Sequence, residues 1–181
     1  LPLDSQGMAN KRRLLPQWAI YPGIAAIAIV LFWRRLGFSG TFHQIASKNQ
    51  VRGKDKYGSG AFGASRDGGS RTHNGIDFVV TPGETIYSPI DGKVIRYSSP
   101  YPDDSRYSGL HIQNEKYLVK MWYLLPNQVK PGQKVTRGQA LGVAQKISTK
   151  YGAGMVDHVH VEVWPEGMGR AVDPGPLFGL G

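Results

Sequence analysis

The chain reads as mainly β, a compact antiparallel sheet or barrel-like sandwich, preceded by a single transmembrane helix. Three observations carry this reading. Beyond residue 73, short apolar runs alternate with period two and are divided by Gly and Pro turns. No strongly helical run of ten or more residues occurs in that region. Near the N-terminus, one uncharged stretch is long enough to cross a bilayer.

In chain order, residues 1–13 form a basic tail ending in Lys11-Arg12-Arg13. Leu14 to Trp33 then carries no charge, with an apolar centre from Ile24 to Phe32. About 20 helical residues match the roughly 30 Å hydrocarbon core. Trp18, Tyr21 and Trp33 mark its ends as interfacial aromatics do. A buried core helix and a cleaved signal peptide are the competing readings. Arg34-Arg35 stands where a small-residue cleavage site would be needed, which favours a retained span over 14–36 in contact with lipid. Residues 37–56 are polar and basic and read as a linker, with a short helix near 41–47.

The folded region is expected at 57–166. Its strands are Ile76–Val80, Thr85–Tyr87, Lys93–Ser98, Leu110–Gln113, Tyr117–Leu125, Ala140–Gln145 and Val159–Trp164. Such short strands with Gly/Pro turns favour antiparallel architecture. The triplets Pro131-Gly-Gln133 and Arg137-Gly-Gln139 read as two successive turns of one meander. Residues 167–181 read as a Gly/Pro-rich extended tail.

Composition narrows the chemistry. With 181 residues, 40% of them hydrophobic, there is room for one ordinary domain and an appendage. There is no cysteine, so disulfides and thiolate metal sites are excluded, and any metal must be held by nitrogen and oxygen. The net charge of +9 is lopsided: residues 1–72 carry 11 Lys/Arg against Asp4, Asp55 and Asp67, and the remainder is nearly neutral. A basic arm of this kind suits anionic lipid, teichoic polymers or nucleic acid, or is simply a solvated arm beside a membrane.

The chemistry-bearing residues are His73-Asn-Gly-Ile-Asp77 and Asp157-His158-Val-His160-Val-Glu162. Hydrolytic zinc sites use three ligands from His, Asp and Glu and keep a fourth position for water. His73, Asp77 and His160 would supply such a set. In the second motif strand alternation puts His158, His160 and Glu162 on one face and Val159, Val161 and Val163 on the other. One imidazole can then bind a metal while its neighbour stands beside the reacting water.

From about Tyr57 to Trp164 the chain resembles the lysostaphin/LytM-like family of zinc peptidases, which cut peptide cross-links of bacterial cell walls. The resemblance rests on Phe62-Gly-Ala-Ser-Arg66, His73-Asn-Gly-Ile-Asp77, Pro82-Gly-Glu-Thr-Ile-Tyr87, Asp91-Gly-Lys-Val94, Val129 to Gly142 and His158-Val-His160, in that order. It implies zinc held by His73, Asp77 and His160, and His158 as a catalytic histidine. It also implies a further catalytic histidine nine residues before Gly132, where this chain has Tyr123. That Tyr, with Pro100-Tyr101, Ser108-Gly-Leu-His-Ile112 and Tyr151 to His158, is similar to the leukocyte-derived chemotaxin branch of the family, which keeps the fold and a zinc site but is not known for peptidase activity.

Several roles stay open at the level of sequence. Tyr123 is either a hydrogen-bond donor to a developing oxyanion or a packed aromatic. Glu162 and Asp157 either orient a ligand histidine or serve as a solvated position and a turn cap. Arg66 either lines a groove or stabilises its loop. His111 sits among apolar strand residues and reads as structural, and His43 has no evident partner. Two functions follow: a membrane-anchored zinc endopeptidase of peptidoglycan, in a cell or carried by a phage for infection or lysis, or a non-catalytic zinc module that binds wall or partner surfaces. A wall hydrolase would face the wall or periplasm, from a cell membrane or the internal membrane of a virion.

Overall fold

Residues 42–180 are described by a computed structural model. Every strand pairing in them is antiparallel. In chain order the strands are β1 (Ser65–Arg66), β2 (Arg71–Thr72), β3 (Ile76–Val79), β4 (Thr85–Tyr87), β5 (Gly92–Ser98), β6 (Gly109–Gln113), β7 (Tyr117–Trp122), β8 (Leu124–Leu125), β9 (Lys134–Val135), β10 (Ala140–Ala144) and β11 (His158–Pro165). Six of them form the main sheet in the order β3-β11-β7-β6-β5-β9. A second sheet runs β4-β10-β8, and β1 and β2 make a small hairpin. Among the described residues the one α-helical segment is a single turn, α1 (Ser148–Tyr151).

The main sheet has two unlike faces because its residues alternate. Val94, Leu110, Ile112, Val119, Met121, Val159, Val161 and Val163 turn one way and are fully buried. They share a core with Ile86, Leu124, Leu141 and Ala144 of the second sheet. The other face carries the histidines. The expected run Tyr117–Leu125 is in fact two strands, broken at Tyr123, whose φ of 67° is left-handed. A ladder cannot continue through that conformation, so the chain leaves the main sheet and pairs Leu124 with Ala144 instead. For a non-glycine residue this conformation costs about 1–2 kcal/mol.

Three expectations about the flanks are corrected or fall outside the structure. Residues 42–56 are not a linker: Phe42, Ile45 and Ala46 enter the core, and Val51 bridges to Phe78. Residues 42–47 form bends rather than a helix. Their polar composition concealed a few apolar residues spaced to cap the sheet. The tail is also packed. Val172 pairs with Val163, and Phe178 sits between Phe42 and Phe78 at ring-centroid distances of 5.3 and 4.9 Å. Such aromatic contacts outweigh the apparent looseness of a Gly/Pro sequence. The expected span at 14–36 lies outside the described residues; among those described, no helix is long and apolar enough to cross a membrane.

Candidate metal centre

Strand pairing builds the centre. Asp77 of β3 lies directly opposite His160 of β11, and Trp122 of β7 flanks His160 on the other side. Opposed residues on antiparallel strands hold their Cβ atoms within about 5 Å. His73 arrives from the loop before β3. Its backbone N–H donates to Ala64 O and its carbonyl accepts from Gly63, each at 2.8 Å, which fixes the loop. Gly75 between the two ligands has to be glycine, since a Cβ there would stand 2.3 Å from Val161 O and 2.9 Å from the His160 ring.

One atom from each of His73, Asp77 and His160 lies within 4.8 Å of the others. Asp77 Oδ1 is 2.8 Å from His160 Nδ1 and 3.1 Å from His73 Nε2, and those two nitrogens are 2.9 Å apart. The opposite ring nitrogens are already committed. His73 Nδ1 donates to Ala61 O at 2.8 Å, and His160 Nε2 faces Glu162 Oε1 at 3.4 Å. A backbone carbonyl can only accept, so His73 carries its proton on Nδ1 and turns its Nε2 lone pair inward, whereas His160 lies between two carboxylates, Asp77 on Nδ1 and Glu162 on Nε2. His73 Nε2, His160 Nδ1 and Asp77 Oδ1 therefore converge within 3.1 Å of one another. A cation resolves this arrangement, and a three-ligand nitrogen/oxygen set fits zinc with a position left open.

The surroundings tune these groups. Asp77 Oδ2 accepts from Arg52 Nε and Nη2 at 3.2 and 2.9 Å, and Arg66 Nη2 stands 3.6 Å away. Burial pushes the Asp77 carboxyl up, but the facing imidazoles of His160 and His73 and the nearness of His158 prevail and hold it well below the usual carboxylate range. Glu162 is in turn fixed by Trp164 Nε1, which donates to its Oε2 at 2.7 Å, and by Lys120 at 3.7 Å. Trp122 stacks on His160 with centroids 5.3 Å apart.

His158 shares the face but not the ligand set. Its Nδ1 donates to Val156 O at 2.6 Å, so its Nε2 lone pair is free, 3.8 Å from Asp77 Oδ1. Burial pushes this imidazole down, toward the neutral form. Tyr123 packs edge-on against His158 at 5.2 Å, and its hydroxyl meets that of Tyr101 at 2.9 Å. Burial pushes its phenol up to about 12. Arg66, Tyr123, Trp122 and His158 line one cleft of about 540 Å³ together with the ligand set.

The remaining sequence candidates sort by contact. Asp157 caps α1, accepting from Ser148 N at 2.7 Å and Ser148 Oγ at 3.0 Å. His111 is buried away from the cleft, where its Nδ1 accepts from Arg96 Nε at 3.3 Å. His43 is exposed and packs against Tyr87. Arg52 was not singled out from sequence; among Lys48, Lys54 and Lys56 it is one more basic residue. Its only hint is the nearby Asp55, to which it is also paired.

Comparison with known proteins agrees with this geometry. Mouse leukocyte cell-derived chemotaxin-2 is 31% identical over 117 residues, covering 64% of this chain and 74% of that protein. The peptidoglycan DD-endopeptidase ShyA of Vibrio cholerae is 32% identical over 91 residues, 50% of this chain but 20% of that larger protein. Among solved structures, a zinc-containing peptidase from Vibrio cholerae superposes with a TM-score of 0.51 at 26% identity, covering 75% of this chain and 39% of that one. The sequence model of Peptidase family M23 matches residues 71–174, a span that begins just before His73, ends beyond His160 and takes in more than half of the chain. This chain belongs to Peptidase family M23, and zinc is the metal of its His/Asp centre.

Proposed function

We propose that the chain is a zinc-dependent endopeptidase that cleaves peptide cross-links of bacterial peptidoglycan. One observation carries the reading: His73 Nε2, His160 Nδ1 and Asp77 Oδ1 converge within 3.1 Å of one another, beside His158, whose Nε2 turns toward them. When bound there, zinc supplies Lewis acidity and a lowered water pKa, the chemistry that amide hydrolysis needs. The chain's own residues do the rest. His158 Nε2, kept neutral by burial, accepts a proton from the attacking water and passes it to the leaving amine. Tyr123, protonated at neutral pH, donates a hydrogen bond to the oxygen on which charge develops. Arg52 and Glu162 orient Asp77 and His160 toward the centre.

The similarity to ShyA supports the peptidoglycan substrate, and digestion of purified wall with and without a chelator tests it. New muropeptide ends that vanish with chelator and return with zinc are the expected result. A second reading, a catalytically weak zinc module that binds wall or partner surfaces, is favoured by Tyr123 at the place of a family histidine and by the similarity to chemotaxin-2. Binding to wall without turnover would select it.

We further propose that residues 14–36 anchor the domain to a cell membrane or an internal phage membrane, with the domain facing the wall and the basic N-terminal arm against anionic polymers. The uncharged stretch with flanking aromatics supports this. Carbonate extraction tests it, and release into the soluble fraction would remove the anchor.

A further inference from the structure

Three phenols beside the cleft form one hydrogen-bonded chain. Tyr123 Oη lies 2.9 Å from Tyr101 Oη, and Tyr101 Oη lies 2.9 Å from Tyr151 Oη. The three come from separate places: the loop after β5, the β7–β8 junction and the end of α1. All three line the cleft that holds the metal centre. Tyr57 donates to the Tyr151 carbonyl and packs on its ring, and Lys150 Nζ stands 4.2 Å over the Tyr101 ring, so the chain is braced from outside. Tyr123 itself is held at its left-handed φ, a conformation that persists only where surrounding structure enforces it.

Three hydroxyls bring three protons, and two links use two of them. The third proton is available to an outside acceptor. With no acceptor in the cleft, Tyr123 is free to donate inward to Tyr101. An anionic oxygen placed against Tyr123 makes it the outward donor, and its own oxygen then accepts from Tyr101, which accepts from Tyr151. Each donor in such a row polarises the next.

We infer that Tyr101 and Tyr151 are positioning residues that direct the unshared proton of this chain, through Tyr123, toward the oxyanion of the reacting carbonyl. The inference deepens the peptidase reading above and rests on it for the identity of the acceptor. The chemistry recognised is a tetrahedral or planar oxyanion beside the metal, not a side chain of the substrate.

The test uses the zinc-loaded protein and two readouts: hydrolysis of purified wall peptides, resolved into kcat and KM, and calorimetric binding of inorganic phosphate as a tetrahedral oxyanion probe. Tyr101→Phe is expected to lower kcat and phosphate affinity by about three- to tenfold, the scale of one hydrogen bond, with KM unchanged. Tyr151→Phe should shift both in the same direction by less. Because Tyr101 acts through Tyr123, adding Tyr101→Phe to Tyr123→Phe should change neither quantity further. A Tyr101→Phe protein that binds phosphate as wild type does overturns the inference. So does an equal loss on the wild-type and Tyr123→Phe backgrounds, or a wild-type protein that takes up no phosphate. Hydrolysis that persists unchanged in Tyr101→Phe removes this inference alone. A wild type without turnover but with the expected phosphate series removes the peptidase reading and leaves the phenol chain as an anion donor.

Discussion

Arg52 and Asp77 meet as a two-pronged pair, with both guanidinium donors on Oδ2, so that Oδ1 is left to face the imidazoles. Both side chains are almost fully buried. The arginine therefore selects which carboxylate oxygen the metal sees. Arg52→Lys keeps the charge but cannot make the fork. It is expected to weaken zinc binding by about 10–100-fold, the usual cost of losing a group that orients a ligand. Chelator competition measures this. Arg52→Ala should in addition destabilise the fold by about 3–5 kcal/mol, because Asp77 loses its counter-charge in the interior.

The ligand set makes a sharper forecast. His73→Ala or Asp77→Ala should abolish stoichiometric zinc, while His111→Ala should retain it. Metal analysis of the purified variants decides the matter, and full occupancy in both of the first two would remove the assignment.

His158 and Tyr123 separate chemistry from binding. His158→Ala should lower wall hydrolysis by about 10²–10⁴ while zinc stays in place, since its ring stands beside the His73/Asp77/His160 cluster without belonging to it. Tyr123→Phe should cost about 10²–10³ as a lost oxyanion donor. Tyr123→His places an imidazole where the family resemblance implies one and is expected to raise the rate. Initial rates on a defined cross-linked peptide, alongside zinc content, check all three.

Stability should fall with acid partly through His111. Burial and then the charges of Arg96 and Lys120 push its imidazole down to about 4. An unfolded histidine titrates near 6.5, so between those values the unfolded state binds the extra proton. The contribution is fully present above about pH 6.5 and is lost as pH falls toward 4. His111→Asn should flatten that part of the profile by up to one proton. Urea midpoints at pH 7, 5.5 and 4.5 for both proteins test it, and parallel curves would contradict it.

By itself, the sequence determined the β architecture and the candidate His/Asp ligand set, because both depend on short-range rules. Alternation in Val159, Val161 and Val163 against His158, His160 and Glu162 dictates which side of β11 is core, and the four-residue spacing of His73 and Asp77 is local. The absence of cysteine restricts the chemistry in the same local way. Only the tertiary structure decided what depends on distant segments meeting. Arg52 reaches Asp77 across 25 positions, and Tyr101 and Tyr151 reach each other across 50. Residues 42–56 and the tail look loose by composition, yet Phe42 closes on Phe178 and Phe178 on Phe78. The break at Tyr123 was equally hidden: its residue type favours a continuing strand, and the left-handed turn is imposed by the need to pass from one sheet to the other. Period and spacing are written along the chain, whereas burial of an arginine or a bent strand is set by partners that the chain brings together only on folding.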